Sequence, residues 1–336
     1  MKVIVTGGCG YIGSHTMVDL IQNGFEVISV DSLINSNEDV LVGIEKITGQ
    51  KVKNYQIDLS KADSWRLIEK NESGIIGIIH FAALKAVGES VKKPLAYYEN
   101  NVGALMQVLE WMNYSNIPNL IFSSSCTVYG ESSDLPVVES AEFRPTASPY
   151  GRTKQICEWL IQDFFKTSGK KAISLRYFNP AGAHDSILIG EAASNIALNL
   201  VPVITETAIG KRKSMTVYGS DYNTKDGTCI RDYIHVMDLA EAHTSALQYL
   251  LSTKQELPDD AFNLGMGKGL SVLEIIKAFE KVSGLKFNYE LGPRRPGDIP
   301  AIFADSTKAK RLLNWAPNRT VDDILRTAWE WENVRN

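Results

Sequence analysis

The sequence predicts an α/β fold, a doubly wound parallel sheet joined to a smaller α/β domain toward the C-terminus. Three observations support this prediction. Short apolar runs typical of buried strands alternate with segments of helical period through the first half of the chain. The first apolar run meets three evenly spaced glycines and then a helical segment, which is a strand–turn–helix unit. With 336 residues, the chain is longer than one hydrophobic core usually holds, which favours two lobes.

The composition is that of a soluble globular enzyme without a nucleic-acid surface. Apolar residues make up 44% and charged residues 22%, and 35 basic and 39 acidic residues are mixed along the chain. The four cysteines are far apart and the histidines lack metal-ligand spacing, which favours reduced thiols and no metal site. Because a strand is predicted from residue 2 and no apolar run reaches about 18 residues, we expect no leader, no membrane contact and a cytoplasmic location.

The first fifteen residues are organised around a glycine turn. The predicted strand Val3–Val5 leads to Gly7, Gly10 and Gly13, and a helical segment follows. Glycine permits a bend with positive φ and lets a diphosphate approach the backbone, while the helix N-terminus offers free N–H groups. The unit therefore predicts a Rossmann-type dinucleotide site, and a tight structural turn is the alternative.

Asp31 indicates which dinucleotide this turn would bind. It ends the second predicted strand, Val27–Val30, eighteen residues past Gly13. A carboxylate there can accept both adenosine ribose hydroxyls and would repel a 2′-phosphate, which favours NAD over NADP. A solvated turn residue is the alternative interpretation of Asp31.

The next elements continue the alternation of strands and helices. We predict a helix near 38–49, then strands at Val52–Ile57 and Ile75–Ile79. Asp58 follows the first of these strands and either accepts the adenine amino group or caps a helix starting near Ser60; both roles remain open. The small residues Ala82 and Ala83 follow the second strand, which fits a backbone passing close to a ligand.

Long helical patterns complete the predicted elements. One runs from Tyr97 to Trp111, with Asn100 and Asn101 as polar positions at its start and large exposed aromatics that could form a subunit contact. In the second half we predict helices at 190–211, 237–251 and Val321–Val334, and strands near 215–218 and 261–264. We assign Trp315, Trp329 and Trp331 to the core or to packing between lobes.

Tyr150 and Lys154 are the candidate proton-transfer pair. They open a helix that runs to about Ser168, and their spacing of four places both on one helix face. A phenol titrates near ~10, so a tyrosine base needs its pKa lowered by about three units, on the order of 4 kcal/mol. We expect Lys154 and a positive nicotinamide to favour the phenolate. Ser125, after the strand Leu120–Phe122, would hydrogen-bond the same substrate hydroxyl.

These motifs together resemble a known superfamily. The pattern Thr6-Gly7-x-x-Gly10-x-x-Gly13, the pair Tyr150-x-x-x-Lys154 and the preceding serine are similar to those of extended short-chain dehydrogenases/reductases. Longer stretches resemble, more narrowly, the UDP-glucose 4-epimerase family over essentially the whole chain; they are Phe81–Ser90, Ser123–Gly130, Arg176–Ala183 and Asp226–Leu239.

The resemblance implies an activity and an organisation. The implied reaction interconverts UDP-galactose and UDP-glucose in galactose metabolism, by transient oxidation at C4 of the sugar with an NAD that stays bound. It implies an NAD-binding domain of residues 1–179 with a return segment near 233–263, and a UDP-sugar-binding domain of 180–232 and 264–336. It also implies a homodimer, formed through the helices near 97–112 and 150–168.

The resemblance also implies the site residues. Tyr150, Lys154 and Ser125 would be catalytic. Cofactor contacts would come from Gly7, Gly10, Tyr11, Ile12, Gly13, Asp31, Asn35, Asp58, Leu59, Phe81, Ala82, Ala83, Lys85, Asn100, Ser123, Tyr150, Lys154 and Phe178. Substrate contacts would come from Ser125, Tyr150, Asn179, Asn199, Leu200, Thr216, Val217, Tyr218, Arg231, Tyr233, Arg295, Asp298 and Ile302. Within the second set, Arg231 and Arg295 match positions that hold the UDP diphosphate, and Asp298 matches one that contacts the uridine ribose.

One departure from the family pattern bears on the substrate. Members restricted to glucose and galactose usually carry tyrosine where this chain has Ile302, whereas a small residue there accompanies acceptance of N-acetylhexosamines. We therefore hypothesise at least partial access for UDP-N-acetylglucosamine.

Three alternatives remain beside this interpretation. Nucleotide-sugar 4,6-dehydratases and uronate decarboxylases carry acidic residues where this chain has Cys126 and Thr127, which cannot act as carboxylate acids or bases. A UDP-glucuronate 4-epimerase shares most of the machinery. A non-catalytic dinucleotide-sensing regulator would typically lose the Tyr150 and Lys154 pair, which this chain keeps.

Overall fold

The computed structural model describes residues 1–132, 134–192, 197–253, 259–295 and 297–335. The strands are β1 (Lys2–Thr6), β2 (Glu26–Val30), β3 (Lys53–Tyr55), β4 (Ile75–His80), β5 (Asn119–Ser125), β6 (Lys171–Tyr177), β7 (Asn179–Ala181), β8 (Met215–Tyr218), β9 (Ile230–His235), β10 (Asp259–Leu264), β11 (Gly269–Ser271), β12 (Tyr289–Gly292) and β13 (Ala301–Ile302). The α-helices are α1 (Tyr11–Gln22), α2 (Asp39–Thr48), α3 (Arg66–Asn71), α4 (Val87–Lys92), α5 (Pro94–Tyr97), α6 (Gly103–Tyr114), α7 (Pro149–Ser168), α8 (Leu200–Ala208), α9 (Val236–Ser252), α10 (Val272–Ser283), α11 (Thr307–Leu312) and α12 (Val321–Val334). A π-helical turn spans Tyr98–Val102, and a 3₁₀ turn spans Cys126–Tyr129.

A seven-stranded parallel sheet forms the larger lobe, with strand order β10-β6-β5-β4-β1-β2-β3. Its central strands are apolar on both faces: Val5 and Ile79 enter one buried cluster, whereas Ile4 and Ile78 enter the cluster on the other side. Strands covered by helices on both faces carry continuous apolar runs, which is why the runs in the sequence predicted them. The predicted doubly wound α/β fold is confirmed.

The smaller lobe carries a separate apolar cluster. Strand β9 pairs with β7, β11 and β13, and β8 pairs with β12. Helices α8, α10 and α12 cover these strands around Ile204, Phe279 and Leu325. The hydroxyl of Tyr11, at the start of α1, donates a hydrogen bond to the Gly182 carbonyl at 2.7 Å. This bond joins the glycine turn to the segment that enters the smaller lobe.

Most predicted elements are confirmed, and four differ. Strand β3 is shorter than Val52–Ile57. The helix predicted near Ser60 begins only at Arg66, because Asp58 accepts hydrogen bonds from the Ser60 amide (2.9 Å) and hydroxyl (2.7 Å) and so closes a turn instead. The helix predicted at 97–111 is interrupted by the π-helical turn. In the described part of 190–211, α8 covers only Leu200–Ala208, and residues 193–196 lie outside the described residues.

The large aromatics of this interrupted helix correct a further expectation. Tyr97 and Trp111 are buried rather than exposed, and Trp111 stacks on Trp65. Of the tryptophans assigned to packing, Trp315 is buried and Trp329 packs edge-on against Phe279. Within the described chain, no helix combines the length and the apolar character needed to cross a membrane.

Candidate active site

The glycine turn between β1 and α1 forms a cradle that excludes side chains. Gly7 has φ of +69°, and a Cβ there would lie 2.8 Å from the Ala82 nitrogen at the end of β4. A Cβ on Gly13 would lie 2.3 Å from the Gly7 carbonyl oxygen. With glycine at position 10, the N-cap of α1, no side chain covers the helix terminus. The free N–H groups of the first turn are therefore open to an anion, which fits the diphosphate of a dinucleotide.

Asp31 is buried beside this cradle, at the end of β2. Its carboxylate accepts hydrogen bonds from the Cys9 amide at 3.0 Å, the Leu33 amide at 2.9 Å and the Ser36 hydroxyl at 2.8 Å. Three donors hold the carboxylate at the mouth of the turn, where it can meet ribose hydroxyls. The residues present thus fit NAD. Asp58 is exposed in the turn after β3, and Leu59 beside it is buried.

The three candidate catalytic residues lie at the carboxyl end of the same sheet. Ser125 ends the central strand β5, and Tyr150 and Lys154 occupy the first two turns of α7. The Ser148 hydroxyl caps α7 by accepting from the Gly151 amide at 3.3 Å. Lys154 is buried, and its Nζ donates to the Ser123 carbonyl at 2.6 Å and lies 5.9 Å from the centre of the Tyr150 ring.

Burial dominates the electrostatics of this pair. Burial raises the pKa of Tyr150 to about 12, against a lowering by its hydrogen bond with Ser125. Burial lowers the pKa of Lys154 to about 8. The protein groups alone therefore leave Tyr150 a neutral phenol at pH 7, because desolvation outweighs the lowering by the Ser125 hydrogen bond. A positive charge brought next to the ring would lower the pKa of Tyr150.

A buried polar network behind β5 was missed by sequence reasoning. Glu158, one turn beyond Lys154 on α7, accepts hydrogen bonds from the Ser124 hydroxyl and from Arg176, whose Nη2 lies 2.6 Å away. Arg176 also donates to the Tyr129 hydroxyl at 2.9 Å. Burial lowers the pKa of Arg176, whereas the Glu158 carboxylate raises it through both its hydrogen bond and its charge. The pKa is raised overall. The sequence signals were the two family-like stretches that contain Ser124, Tyr129 and Arg176, but neither shows that the network is buried, since burial is a tertiary property.

Asn101 is a further buried residue that supports the site, and it lies in the π-helical turn. Its side chain accepts from the Leu84 amide at 2.8 Å and donates to the Leu84 carbonyl at 3.0 Å and the Thr153 hydroxyl at 3.1 Å. It thereby ties the loop after β4 to α7 beside Lys154. The sequence marked Asn101 only as a polar position on a helix. Asn100 donates to its side chain at 3.0 Å.

The two candidate diphosphate arginines converge on one carboxylate. Asp298 accepts from Arg295 Nη2 at 2.9 Å and lies 3.8 Å from Arg231 Nη2. Arg231 Nη1 is held by the Ile230 and Ile299 carbonyls, each at 2.8 Å. The Arg295 guanidinium lies 5.7 Å from the ring centre of Tyr218. The structure thus brings Tyr218 and Arg231 together with Arg295 and Asp298 from a distant part of the chain.

Ile302 lies on the wall between this arginine cluster and the catalytic end of β5. It pairs with Arg231 across β13 and β9 and is buried against Cys126 and Phe178. Cys126 follows Ser125 directly and is near enough to Arg231 for the guanidinium to lower its pKa, although burial raises that pKa to about 12 overall.

The remaining candidates are more dispersed. Asn179 in β7 pairs with Tyr233 in β9, and Val217 is buried between the exposed Thr216 and Tyr218 of β8. Asn199 and Leu200 lie at the start of α8, and Lys85 and Asn35 are exposed on loops. All four cysteines are buried free thiols, and no cluster of His, Cys, Asp or Glu among the described residues could hold a metal ion.

Comparison with known proteins identifies the family of this chain. The family model described as GDP-mannose 4,6 dehydratase matches residues 4–328. The UDP-glucose 4-epimerase of Erwinia amylovora is 45% identical over 334 residues, which cover 99% of this chain and 98% of that protein.

Solved structures agree with this result. The UDP-glucose-4-epimerase from Stenotrophomonas maltophila, crystallised with NAD and formylated UDP-arabinopyranose, has a TM-score of 0.95 and 43% identity, covering 100% of this chain and 98% of that one. The UDP-Glc/GlcNAc 4-epimerase from Campylobacter jejuni has a TM-score of 0.84 and 36% identity, covering 99% of each chain.

Proposed function

The chain belongs to the UDP-glucose 4-epimerase family, and from that premise we propose that it interconverts UDP-galactose and UDP-glucose by NAD-dependent oxidation and reduction at C4 of the sugar. The observation that carries the proposal is the meeting of Ser125, Tyr150 and Lys154 with the glycine cradle at one end of the sheet. That arrangement sets a base and a hydroxyl beside a dinucleotide site. Gly7, Gly13 and Asp31 hold the cofactor in this proposal.

Each catalytic side chain has a distinct task. Bound NAD supplies a reversible hydride acceptor and a positive charge. With that charge nearby, Tyr150 becomes the phenolate that takes the proton of the sugar 4-hydroxyl. Ser125 hydrogen-bonds the same hydroxyl, and Lys154, anchored on the Ser123 carbonyl at 2.6 Å, supports the negative charge of the phenolate.

Epimerisation requires a firm hold on UDP and a loose one on the hexose, because the sugar must present both faces to the cofactor. Arg231 and Arg295 supply permanently charged forks suited to a diphosphate. Asp298 lies between them and offsets part of their charge. In this proposal Asp298 contacts the uridine ribose, while Asn179 and Asn199 contact the diphosphate and sugar.

UDP-N-acetylhexosamines are a second candidate substrate class. The observation in favour is Ile302, which is smaller than tyrosine at the wall between the arginine cluster and Ser125. The relative from Campylobacter jejuni is described as a UDP-Glc/GlcNAc 4-epimerase, which supports the same proposal.

The assembly and location are further proposals. We propose the NAD-binding domain of 1–179 with a return segment near 233–263, and a UDP-sugar-binding domain of 180–232 and 264–336. We also propose a cytoplasmic location and a homodimer formed by the helices near 97–112 and 150–168. The exposed apolar side chains of Met106 and Trp159 on these helices, with Leu95 and Tyr114 next to the first one, support the dimer.

The matched family model bears on the dehydratase alternative. Dehydration requires acid–base groups next to the catalytic hydroxyl, and this chain has Cys126 and Thr127 there. Since burial raises the pKa of the Cys126 thiol to about 12, it does not replace a carboxylate at neutral pH.

The direct test is to incubate purified protein with UDP-galactose, without added NAD, and to follow UDP-glucose by chromatography. We expect conversion by the wild type and a loss of at least about a hundredfold in kcat for Tyr150→Phe, since the phenyl ring cannot take the proton. Full activity of Tyr150→Phe would show that the proposed base is wrong. Formation of a 4-keto-6-deoxy sugar, or conversion of UDP-glucuronate alone, would favour the alternative enzymes.

A further inference from the structure

Glu191 is a mostly buried carboxylate in the loop between β7 and α8, and the proton-transfer scheme gives it no task. Its backbone carbonyl accepts from the Trp331 indole N–H on α12 at 2.9 Å. The preceding Gly190 bridges to Ala183 and lies so close to Trp331 that a Cβ there would fall 2.6 Å from the indole. The backbone at Glu191 is therefore held from two sides.

The Glu191 side chain joins two candidate ligand-binding residues. Its Oε1 accepts from Asn199 Nδ2 at 3.2 Å and from Lys85 Nζ at 3.4 Å. Lys85 follows β4 beside the glycine cradle, whereas Asn199 precedes α8 of the smaller lobe. The Glu191 oxygen therefore links Lys85, which is proposed to contact the cofactor, to Asn199, which is proposed to contact the substrate.

Asn199 occupies a position where asparagine usually caps its own helix, yet its amide points to Glu191 instead of capping α8. A carboxylate only accepts hydrogen bonds, so it selects the N–H₂ end of the amide rather than the carbonyl end. The second N–H on the same nitrogen remains available to donate. A diphosphate oxygen needs a donor, and it would be repelled by an amide that presented its carbonyl oxygen.

We propose that Glu191 is a positioning residue that turns the Asn199 amide so that its N–H₂ end faces the diphosphate of the UDP-sugar. The inference rests on the proposed function, because it requires the substrate diphosphate at Asn199. It assigns Glu191 to the binding of UDP rather than to the chemistry at C4.

The test measures UDP binding by calorimetry in wild type and variants. We expect Glu191→Ala to raise the Kd for UDP about five- to tenfold, with a similar rise in KM and kcat unchanged within about twofold. Glu191→Gln should stay within about twofold of wild type, because its amide oxygen still accepts from Asn199. Where Glu191→Ala lowers Tm sharply, Glu191→Met keeps the side-chain volume and should give the same loss of affinity.

A double-mutant cycle separates action through Asn199 from a general structural effect. If Glu191 acts through Asn199, the pair Glu191→Ala with Asn199→Ala should bind UDP no more weakly than Asn199→Ala alone. The matched control is Asp185→Ala in the same loop, whose carboxylate pairs with Arg326 at 3.3 Å; it should leave the Kd for UDP unchanged. Additive losses, or an unchanged Kd for Glu191→Ala, would overturn the role of Glu191 alone. Failure of the wild type to bind UDP would overturn the proposed function as well.

Discussion

At the scale of single residues, Ile302 is the side chain that bears most directly on sugar choice. It is buried against Phe178 and Cys126, so a change there alters the wall of the cleft rather than the catalytic hydroxyls. We expect Ile302→Tyr to lower kcat/KM for UDP-N-acetylglucosamine at least about tenfold while UDP-galactose stays within about threefold, because the larger ring fills the space of the N-acetyl group. Assays of both UDP-sugars on the same preparations measure this.

Ile302→Ala is the matched control: it should retain or increase activity on the N-acetyl sugar, at a stability cost of about 2–4 kcal/mol for the lost buried volume. If the wild type does not convert UDP-N-acetylglucosamine at all, Ile302 does not admit it. If Ile302→Tyr lowers both activities equally, the residue acts through packing alone.

The sequence predicted those site residues whose position follows from a local pattern of strands and helices. The glycines and Asp31 follow strands, and Tyr150 and Lys154 begin a helix, so their places in the alternation of strands and helices bring them to one end of a parallel sheet. Glu158 and Arg176 have no such signal. Their ion pair exists because β6 and α7 pack together, and a buried charge cannot be told from a surface charge in one sequence.

At the scale of elements, the π-helical turn Tyr98–Val102 is the feature that the periodicity concealed. The apolar period continues across the turn, so the sequence predicts one helix where the structure has α5, the turn and α6. The extra residue per turn redirects Asn101 toward Leu84 and Thr153. Helix type inside an amphipathic run depends on such contacts, which lie 17 and 52 residues away in sequence.

We expect Asn101→Ala to lower the free energy of unfolding by about 2–3 kcal/mol, because it leaves both polar groups of the Leu84 backbone without their side-chain partner. Chemical denaturation followed by tryptophan fluorescence measures the change. Activity should fall as well, since Thr153 neighbours Lys154. Glu99→Ala, an exposed change in the same turn, is the control and should stay within about 0.5 kcal/mol of wild type. A stability of Asn101→Ala equal to that control would show that the turn holds without these bonds.

At the scale of the whole molecule, ionisable groups are buried in both lobes and between them. Four of the five histidines are buried: His15, His80, His235 and His243. Burial lowers the pKa of the first two to about 3 and of the other two to about 4. Burial acts in the opposite direction on Asp232, whose pKa it raises to about 6. The sequence could not place these groups, because each is buried by elements distant along the chain.

The consequence is a strong loss of stability in mild acid. A histidine whose folded pKa is lowered stabilises the fold above its unfolded pKa near ~6.5, and that contribution is lost as pH falls. At pH 5 the loss is about 2 kcal/mol for each buried histidine, or about 8 kcal/mol for four, offset by about 1 kcal/mol from protonation of Asp232. Because domains of this kind have about 5–15 kcal/mol in total, we expect unfolding between about pH 5.5 and 4.5. Denaturant titrations at stepped pH measure it, and His243→Gln should lessen the slope with pH by about one proton. A fold that stays stable to pH 4, or a slope that His243→Gln does not change, would contradict the burial of these imidazoles as neutral groups.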